Sequence, residues 1–185
     1  MGDDRHERDR YDEDSIRILS SIEAVRLRPG MYLGSTGTEG LHRMVVTLTQ
    51  LALEEAIEGF GERVLVTLHD RRTASVSDAG RGLGAVRVHE DAPDTPPRYL
   101  ADFLLTELHR ARGPERTMAR PNTLTRGRES PFVTECVVNA LSQELVVEVR
   151  RQGAWWRRSF ARGVPTSPFE AVGKSMHSGT TLRFT

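Results

Sequence analysis

The clearest chemistry in this sequence lies where an alternating apolar segment ends in an acidic residue followed by glycines. Asp78 closes the segment ASVSD, and the turn GRGLG begins at Gly80. A carboxylate at a strand end is a strong hydrogen-bond acceptor, and a glycine has no Cβ to hold a flat ligand away from the backbone. Two interpretations stay open here: a turn that binds a ligand, and an ordinary turn that ends a strand.

Metal and thiol chemistry find little support in the sequence. The single cysteine, Cys136, lies in an apolar segment, and the 6 histidines are scattered along the chain. No spacing is typical of a zinc site, and a thiol in apolar surroundings is a poor nucleophile. We expect no metal ligand and no catalytic residue among these side chains.

Composition narrows the class of protein. The chain has 185 residues, 37% of them apolar, and 26 basic residues balance 26 acidic ones. This length suffices for one globular domain with a core, and a neutral charge disfavours a nucleic-acid-binding module. No stretch reaches the roughly 18 apolar residues of a membrane span, and the charged N-terminus is unlike a signal peptide. We expect a cytoplasmic protein without membrane contact or direct DNA binding.

The spacing of apolar and turn residues predicts the elements that must position these side chains. Residues 1–14 are densely charged, which predicts a flexible arm, and 15–185 are expected to form a single domain. The predicted elements are a helix from Ser15 to a turn at 28–30, a helix over 39–59, a hairpin of 63–69 and 74–78, a loop over 85–97, helices over 99–108 and 132–142, and strands at 145–151, 154–160 and 179–185.

Two further segments have unusual composition. Residues 110–131 lack an apolar period, and we expect a mobile lid there. This segment contains arginines that could neutralise an anion or simply be solvated, at positions 110, 112, 116, 120, 126 and 128. Trp155 and Trp156 are adjacent in a predicted strand, so we expect one in the core and the other exposed or at an interface.

Several motifs resemble one known family. They are YDEDSIRILSSIEAVRLRPGMYLGST, GLHRMV, SVSDAGRGL, VVNALSQEL and SGTTLRF. Their order is similar to that in the N-terminal ATP-binding domain of the DNA gyrase B subunit and its topoisomerase IV counterpart, within the superfamily that includes heat-shock chaperones and histidine kinases. The resemblance covers residues 11–185. It implies an α+β fold, a two-layer α/β sandwich of the Bergerat type, with a mixed, mostly antiparallel sheet and helices on one face.

The resemblance implies an intact adenine-binding end. In similar domains the residue at Asp78 accepts a hydrogen bond from the adenine amino group, and a glycine at Gly82 lets the backbone approach the ring. Thr180 resembles a threonine that supports this carboxylate and a water, and Glu55 with Arg81 resembles a pair beside the adenine; a solvated Glu55 is the plainer alternative. The ligand-binding residues predicted in this way are Val76, Asp78, Gly82, Thr180, Glu55 and Arg81.

The triphosphate end departs from the family pattern. Thr47 and Leu51 stand where the family has a glutamate that activates water and an asparagine that holds Mg²⁺. A threonine hydroxyl is not a base near neutral pH, and leucine offers no oxygen to a hard cation. The phosphate-binding loop is also altered, because Pro131 removes a donor N–H and Glu129 and Glu135 bring negative charge to where phosphates would lie. We expect no hydrolysis, and at most ATP or ADP bound without Mg²⁺.

The leading prediction is a stand-alone homologue that is catalytically deficient and binds an adenine-type ligand or an aminocoumarin-like inhibitor. One alternative is a divergent active ATPase whose base is Glu54 or Glu55. Another is a regulatory protein whose site is empty or filled by Leu51 and Phe132. Such a protein would pair with gyrase or another cellular protein through the N-terminal arm or an exposed tryptophan. The arm could also mediate a homodimer or bind a gyrase subunit.

Overall fold

The computed structural model describes residues 18–82, 85, 87–88, 98–108 and 133–185. The predicted arm at 1–14 and the predicted lid at 110–131 lie outside these residues, as does Phe132. Among the described helices, none is both long and apolar enough to cross a membrane.

The described strands form one large sheet and one small one. The bounds are β1 Val64–Leu68, β2 Ala74–Asp78, β3 Arg87–Val88, β4 Arg98–Tyr99, β5 Glu144–Arg151, β6 Ala154–Ala161, β7 Val164–Pro165, β8 Glu170–Lys174 and β9 Gly179–Phe184. The 7-stranded sheet has the order β1-β2-β9-β5-β6-β7, with β8 also paired to β6, and β3 pairs with β4 in the 2-stranded sheet. Every described pairing is antiparallel.

Turn chemistry sets the register of two hairpins. The hairpin predicted over 63–78 is confirmed, and the predicted strands β5 and β6 also pair as a hairpin. Between β1 and β2, Asp70 Oδ1 accepts from the backbone N–H of Arg72 at 2.7 Å and of Thr73 at 2.8 Å. Between β5 and β6, Gln152 and Gly153 have φ of 52° and 79°. Two successive residues with positive φ form the turn whose twist matches a two-residue hairpin.

Helices of the described chain accompany the sheet. They are α1 Ser21–Leu27, α2 Pro29–Leu33, α3 Thr38–Ile57, α4 Leu100–Thr106 and α5 Glu135–Leu141. The longest of them, α3, packs against β1 and β2, whereas α1 and α4 pack against α5. The result is the predicted α+β sandwich, in which a helical layer covers one face of the sheet.

The core lies between these two layers. Leu48 of α3, Val138 of α5, and Leu145 and Val149 of β5 are fully buried. A buried amide crosses this core: Asn139 Nδ2 donates to the carbonyl of Leu105 at 2.8 Å and to that of Gly163 at 3.3 Å. These bonds join α5 to α4 and to the turn between β6 and β7.

The two tryptophans differ in their partners. Trp156 packs against the core, with its ring centroid 5.6 Å from that of Tyr99 and 5.7 Å from that of Phe169. Trp155 is half-buried, and Arg150 Cζ lies 5.8 Å from its ring centroid. Trp155 is therefore not a fully exposed side chain, and the structure does not test whether it lies at an interface with a partner.

The predicted start of the first helix is wrong. α1 begins at Ser21 and not at Ser15, because Ser20 and Glu23 form a capping box. Ser20 Oγ accepts from the N–H of Glu23 at 3.3 Å, and Glu23 Oε2 accepts from the N–H of Ser20 at 2.9 Å. This reciprocal pair satisfies two N–H groups at the helix start.

Other boundaries also differ from the predictions. Residues 28–30 are not a simple turn, because Pro29 is the first residue of α2, where its missing N–H costs nothing. The predicted loop 85–97 contains β3 near its start. Among the described residues, the helix predicted from 132 begins at Glu135, and the one predicted from 99 begins at Leu100. The strands β7 and β8 lack the apolar alternation that would predict them.

We predict that Leu48→Ala destabilises the domain strongly. Leu48 is 0% exposed, so truncation removes apolar burial and leaves a cavity, a loss of about 2–5 kcal/mol in the free energy of unfolding. Val46→Ala on the same helix is the control, because Val46 is 53% exposed. Urea denaturation measures both variants, and equal losses would contradict this account of the core.

Candidate functional site

The candidate site is built around the carboxylate of Asp78 at the end of β2. Asp78 Oδ1 accepts from the backbone N–H of Gly80 at 2.8 Å and of Thr180 at 3.2 Å. Gly179 has φ of 138°, and a Cβ there would lie 2.2 Å from the carbonyl oxygen of Asp78. The start of β9 therefore touches the end of β2, and Asp78 Oδ2 accepts no hydrogen bond from the described residues.

A negative charge on Asp78 is unfavourable because its carboxylate is largely buried. Burial raises the pKa of Asp78 above its ordinary value, and the N–H groups of Gly80 and Thr180 offset part of this rise. The nearby carboxylate of Glu55 raises the pKa further. A carboxylate perturbed by burial at the end of a strand is typical of a functional site.

Arg81 and Glu55 form a tight pair next to this carboxylate. Glu55 Oε2 accepts from the backbone N–H of Arg81 at 2.9 Å and from its Nε at 3.0 Å, while Oε1 accepts from Nη2 at 2.6 Å. The Glu55 side chain is only 14% exposed. The structure joins the two side chains as the sequence suggested, and the alternative of a solvated Glu55 is wrong.

The glycines of the turn are required by packing. Gly82 has φ of 67°, and a Cβ there would lie 2.4 Å from the carbonyl oxygen of Arg150 on β5. A Cβ at Gly80 would lie 2.8 Å from both Cβ and Oε2 of Glu55. The resemblance explains Gly82 by the approach of a ligand to the backbone. In the structure, the carbonyl of Arg150 already leaves no room for a Cβ at this position.

The remaining predicted residues lie near Asp78 in different ways. Thr180 contacts Asp78 through its backbone N–H, and none of the described bonds joins its hydroxyl to Asp78. Val76 is two residues earlier on β2 and is 3% exposed, paired with Val66 and Leu182 on the neighbouring strands. It belongs to the core beneath the turn.

Sequence reasoning missed three side chains that hold the turn. Arg151 Nη1 donates to the carbonyl of Arg81 at 2.9 Å, and nothing in the sequence separates Arg151 from the other arginines. Glu58 Oε2 accepts from Arg81 Nη2 at 2.6 Å, and Phe60 lies beneath the same guanidinium. The spacing of Glu55 and Glu58 places them on one helical face, which is a signal that could have been used.

The residues at the expected metal and base positions have other roles. Thr47 is buried, and its hydroxyl donates to the carbonyl of Arg43 at 2.9 Å. Leu51 packs against the core. Because Mg²⁺ prefers oxygen ligands, Leu51 cannot take the place of the asparagine that holds it in the family. Among the described residues, no three His, Cys, Asp or Glu side chains form a group that could hold a metal ion.

Glu135, which was expected at the phosphate end, is the first residue of α5 and is 1% exposed. The other residues of the predicted phosphate loop, 127–132, lie outside the described part of the chain.

The fold defines a class of protein. The structure is similar to the 43K ATPase domain of Thermus thermophilus gyrase B in complex with an aminocoumarin, with a TM-score of 0.68 and 32% identity over 90% of this chain and 39% of that chain. The sandwich that carries the Asp78 turn is thus the fold of a gyrase B ATPase domain.

Relatives in sequence make the assignment more particular. The chain is 37% identical to the DNA gyrase B subunit of Clostridium acetobutylicum, 38% to that of Mycolicibacterium smegmatis and 36% to the DNA topoisomerase 4 B subunit of Bacillus subtilis. Each alignment covers 94% of this chain. It is a homologue of the gyrase B and topoisomerase IV B proteins. The chain spans about a quarter of the length of these relatives, 24–26%. No protein-family model matches it.

We predict that the thiol of Cys136 is unreactive in the folded protein. Burial, with the negative charges of Glu135 and Glu107, raises its pKa to about 12, so thiolate is nearly absent at pH 8. Ellman's reagent should label the native chain only as it unfolds, and one thiol per chain should react in denaturant. Rapid stoichiometric labelling of native protein would contradict this.

We also predict that Asp78→Asn does not destabilise the domain at pH 7. Because the folded pKa of Asp78 is raised, the folded state binds its proton more tightly than the unfolded state, and this group lowers stability as pH rises through that folded pKa. Asparagine keeps the Oδ1 acceptor without the charge. Its melting temperature should equal or exceed that of the wild type at pH 7, and the difference should shrink toward pH 4.

Thermal unfolding of both proteins across this pH range is the measurement. Ser77→Ala is the control, because its hydroxyl is adjacent on β2 and bonds to Thr181 and not to the turn. An asparagine variant less stable than the wild type at pH 7 would refute the account of Asp78.

Proposed function

We propose that this chain binds an adenine-type ligand or an aminocoumarin-like small molecule at the Asp78 turn and does not hydrolyse ATP. The observation that carries the proposal is a contrast along α3. Near its C-terminus, Glu55 pairs with Arg81 beside the fixed acceptor Asp78. One turn earlier Leu51 offers no oxygen to a metal ion, and two turns earlier the hydroxyl of Thr47 is not a base and donates to Arg43.

Asp78 has the chemistry to recognise an N–H group on a flat ligand. Its Oδ1 is occupied by two backbone donors, which fixes the plane of the carboxylate, and Oδ2 has no partner among the described residues. A hydrogen bond from a ligand to this charged acceptor contributes about 1.5–3 kcal/mol. The bond also compensates part of the cost of burying the charge.

The absence of hydrolysis follows from the residues available to activate water. The hydroxyl of Thr47 is not basic and already donates to Arg43. Loss of a positioned general base lowers a rate by about 10²–10⁴. Glu55, the base in the alternative hypothesis, accepts three hydrogen bonds from Arg81 and is held there.

The comparison supports the ligand class. The Thermus gyrase B domain, similar over 90% of this chain, was crystallised with an aminocoumarin. A ligand of that size and shape bound at the Asp78 turn requires neither Mg²⁺ nor a base from this chain. The chain therefore binds a ring at the Asp78 turn and does not carry out the triphosphate chemistry.

Isothermal titration calorimetry tests the proposal with four probes: adenosine, ADP, a non-hydrolysable ATP analogue with Mg²⁺, and an aminocoumarin. We expect adenosine or the aminocoumarin to bind with the same affinity in EDTA as in Mg²⁺, and a phosphate-release assay with ATP to stay at background. Tight binding of the analogue that depends on Mg²⁺, or steady phosphate release, would overturn the proposal, as would no binding of any probe.

Asp78→Asn provides the matched site variant. An amide oxygen is a weaker acceptor than a carboxylate, so affinity for the bound probe should fall about 10- to 100-fold, in line with a charge-assisted hydrogen bond of about 1.5–3 kcal/mol. Unchanged affinity would show that the probe binds elsewhere. Ser77→Ala should bind like the wild type.

A further inference from the structure

We propose that Glu58 and Phe60, on the segment that follows α3, are positioning residues that hold the guanidinium of Arg81 in one orientation at the edge of the ligand site. This inference rests on the proposed function, because it assigns to these two side chains a part in ligand affinity. It concerns Arg81 in the ligand-free protein as well, which allows the two proposals to be tested separately.

The chain reverses direction directly after α3. Glu58 caps the helix, and its N–H donates to the carbonyl of Glu54 at 3.1 Å. Gly59 then has φ of 85°, which favours glycine, and the N–H of Phe60 donates back to the carbonyl of Glu55 at 2.8 Å. This left-handed turn at the helix end places Phe60 beside the last turn of α3.

Three side chains contact the guanidinium of Arg81 and fix its position. Glu55 accepts from Nε and Nη2, and Glu58 Oε2 accepts from Nη2 at 2.6 Å. Phe60 covers one face, with Arg81 Cζ 3.8 Å from its ring centroid. Carboxylates on the edge and an aromatic ring on a face restrict both the position and the tilt of the planar group.

The exposure of Phe60 also fits this role. Phe60 is 42% exposed, although a large aromatic side chain gains most from burial. Its ring makes a cation–π contact with Arg81. A ring kept at the surface against a cation is expected where the orientation of that cation matters.

The location gives the consequence for binding. The backbone of Arg81 belongs to the turn that follows Asp78, and Arg81 is fixed to α3 through Glu55. An arginine has several rotatable bonds, and ordering it when a ligand binds costs free energy. If Glu58 and Phe60 order it beforehand, the ligand avoids that cost.

The first experiment observes Arg81 directly by ¹H–¹⁵N spectroscopy of the arginine Nε–H groups, with the Arg81 signal assigned from its loss in Arg81→Lys. In ligand-free wild-type protein we expect an upfield-shifted, slowly exchanging signal, because the ring lies against the guanidinium. Phe60→Leu should move it downfield and speed its exchange with water, whereas Phe60→Tyr should preserve it. Glu58→Gln should speed exchange, and Glu62→Gln, an exposed control four residues along, should not.

The second experiment measures affinity for the probe that binds the wild type. We expect a roughly 2- to 10-fold loss for Phe60→Leu and for Glu58→Gln, with wild-type affinity in Phe60→Tyr and Glu62→Gln. Melting temperatures are recorded alongside, and Glu58→Gln keeps the test decisive if Phe60→Leu folds poorly.

The outcomes separate the two proposals. Failure of every probe to bind the wild type would remove the proposed function, while the Arg81 signal would still report whether Glu58 and Phe60 order the side chain. A bound probe with an Arg81 signal unchanged in Phe60→Leu and Glu58→Gln would overturn the positioning role. A loosened Arg81 signal with unchanged affinity would overturn it as well.

Discussion

The site depends on one interaction, in which a single carboxylate oxygen of Asp78 accepts hydrogen bonds from two backbone N–H groups. It joins the turn after β2 to the first residues of β9, strands that neighbour each other in the sheet but are separated by about half of the chain. A buried carboxylate is tolerated there because these donors compensate for lost water. The same two bonds fix the position of the other carboxylate oxygen of Asp78, which accepts no hydrogen bond from the described residues.

Around this carboxylate, the turn is closely packed. Gly80 and Gly82 admit no side chain, because Glu55 and the backbone of β5 already occupy that space. Glu55 of α3 holds the side chain of Arg81, and Arg151 donates a hydrogen bond to the carbonyl of Arg81. The turn is therefore a rigid junction of helix and sheet. A rigid site can bind with little loss of conformational freedom.

Much of this arrangement could be predicted from the sequence, and the reasons for the failures are physical. The hairpins and α3 have strong periodicities, and Asp78 with its glycines marks a turn. The start of α1 is hard to predict because Ser15 and Ser20 are both good capping residues, and only Glu23 distinguishes them. The contacts of Arg151 and Phe60 depend on how the chain returns after a helix or strand, which local patterns do not encode. The buried position of Glu135 likewise follows from tertiary packing.

The charges collected at the turn have a consequence of their own. Three carboxylates lie at the turn after β2, those of Asp78, Glu55 and Glu58. Two guanidinium groups bond there as well, those of Arg81 and Arg151. Among the described side chains that bond at this turn, carboxylates outnumber guanidinium groups. These side chains by themselves therefore disfavour an anion beside Asp78 and present no such electrostatic barrier to an uncharged ring.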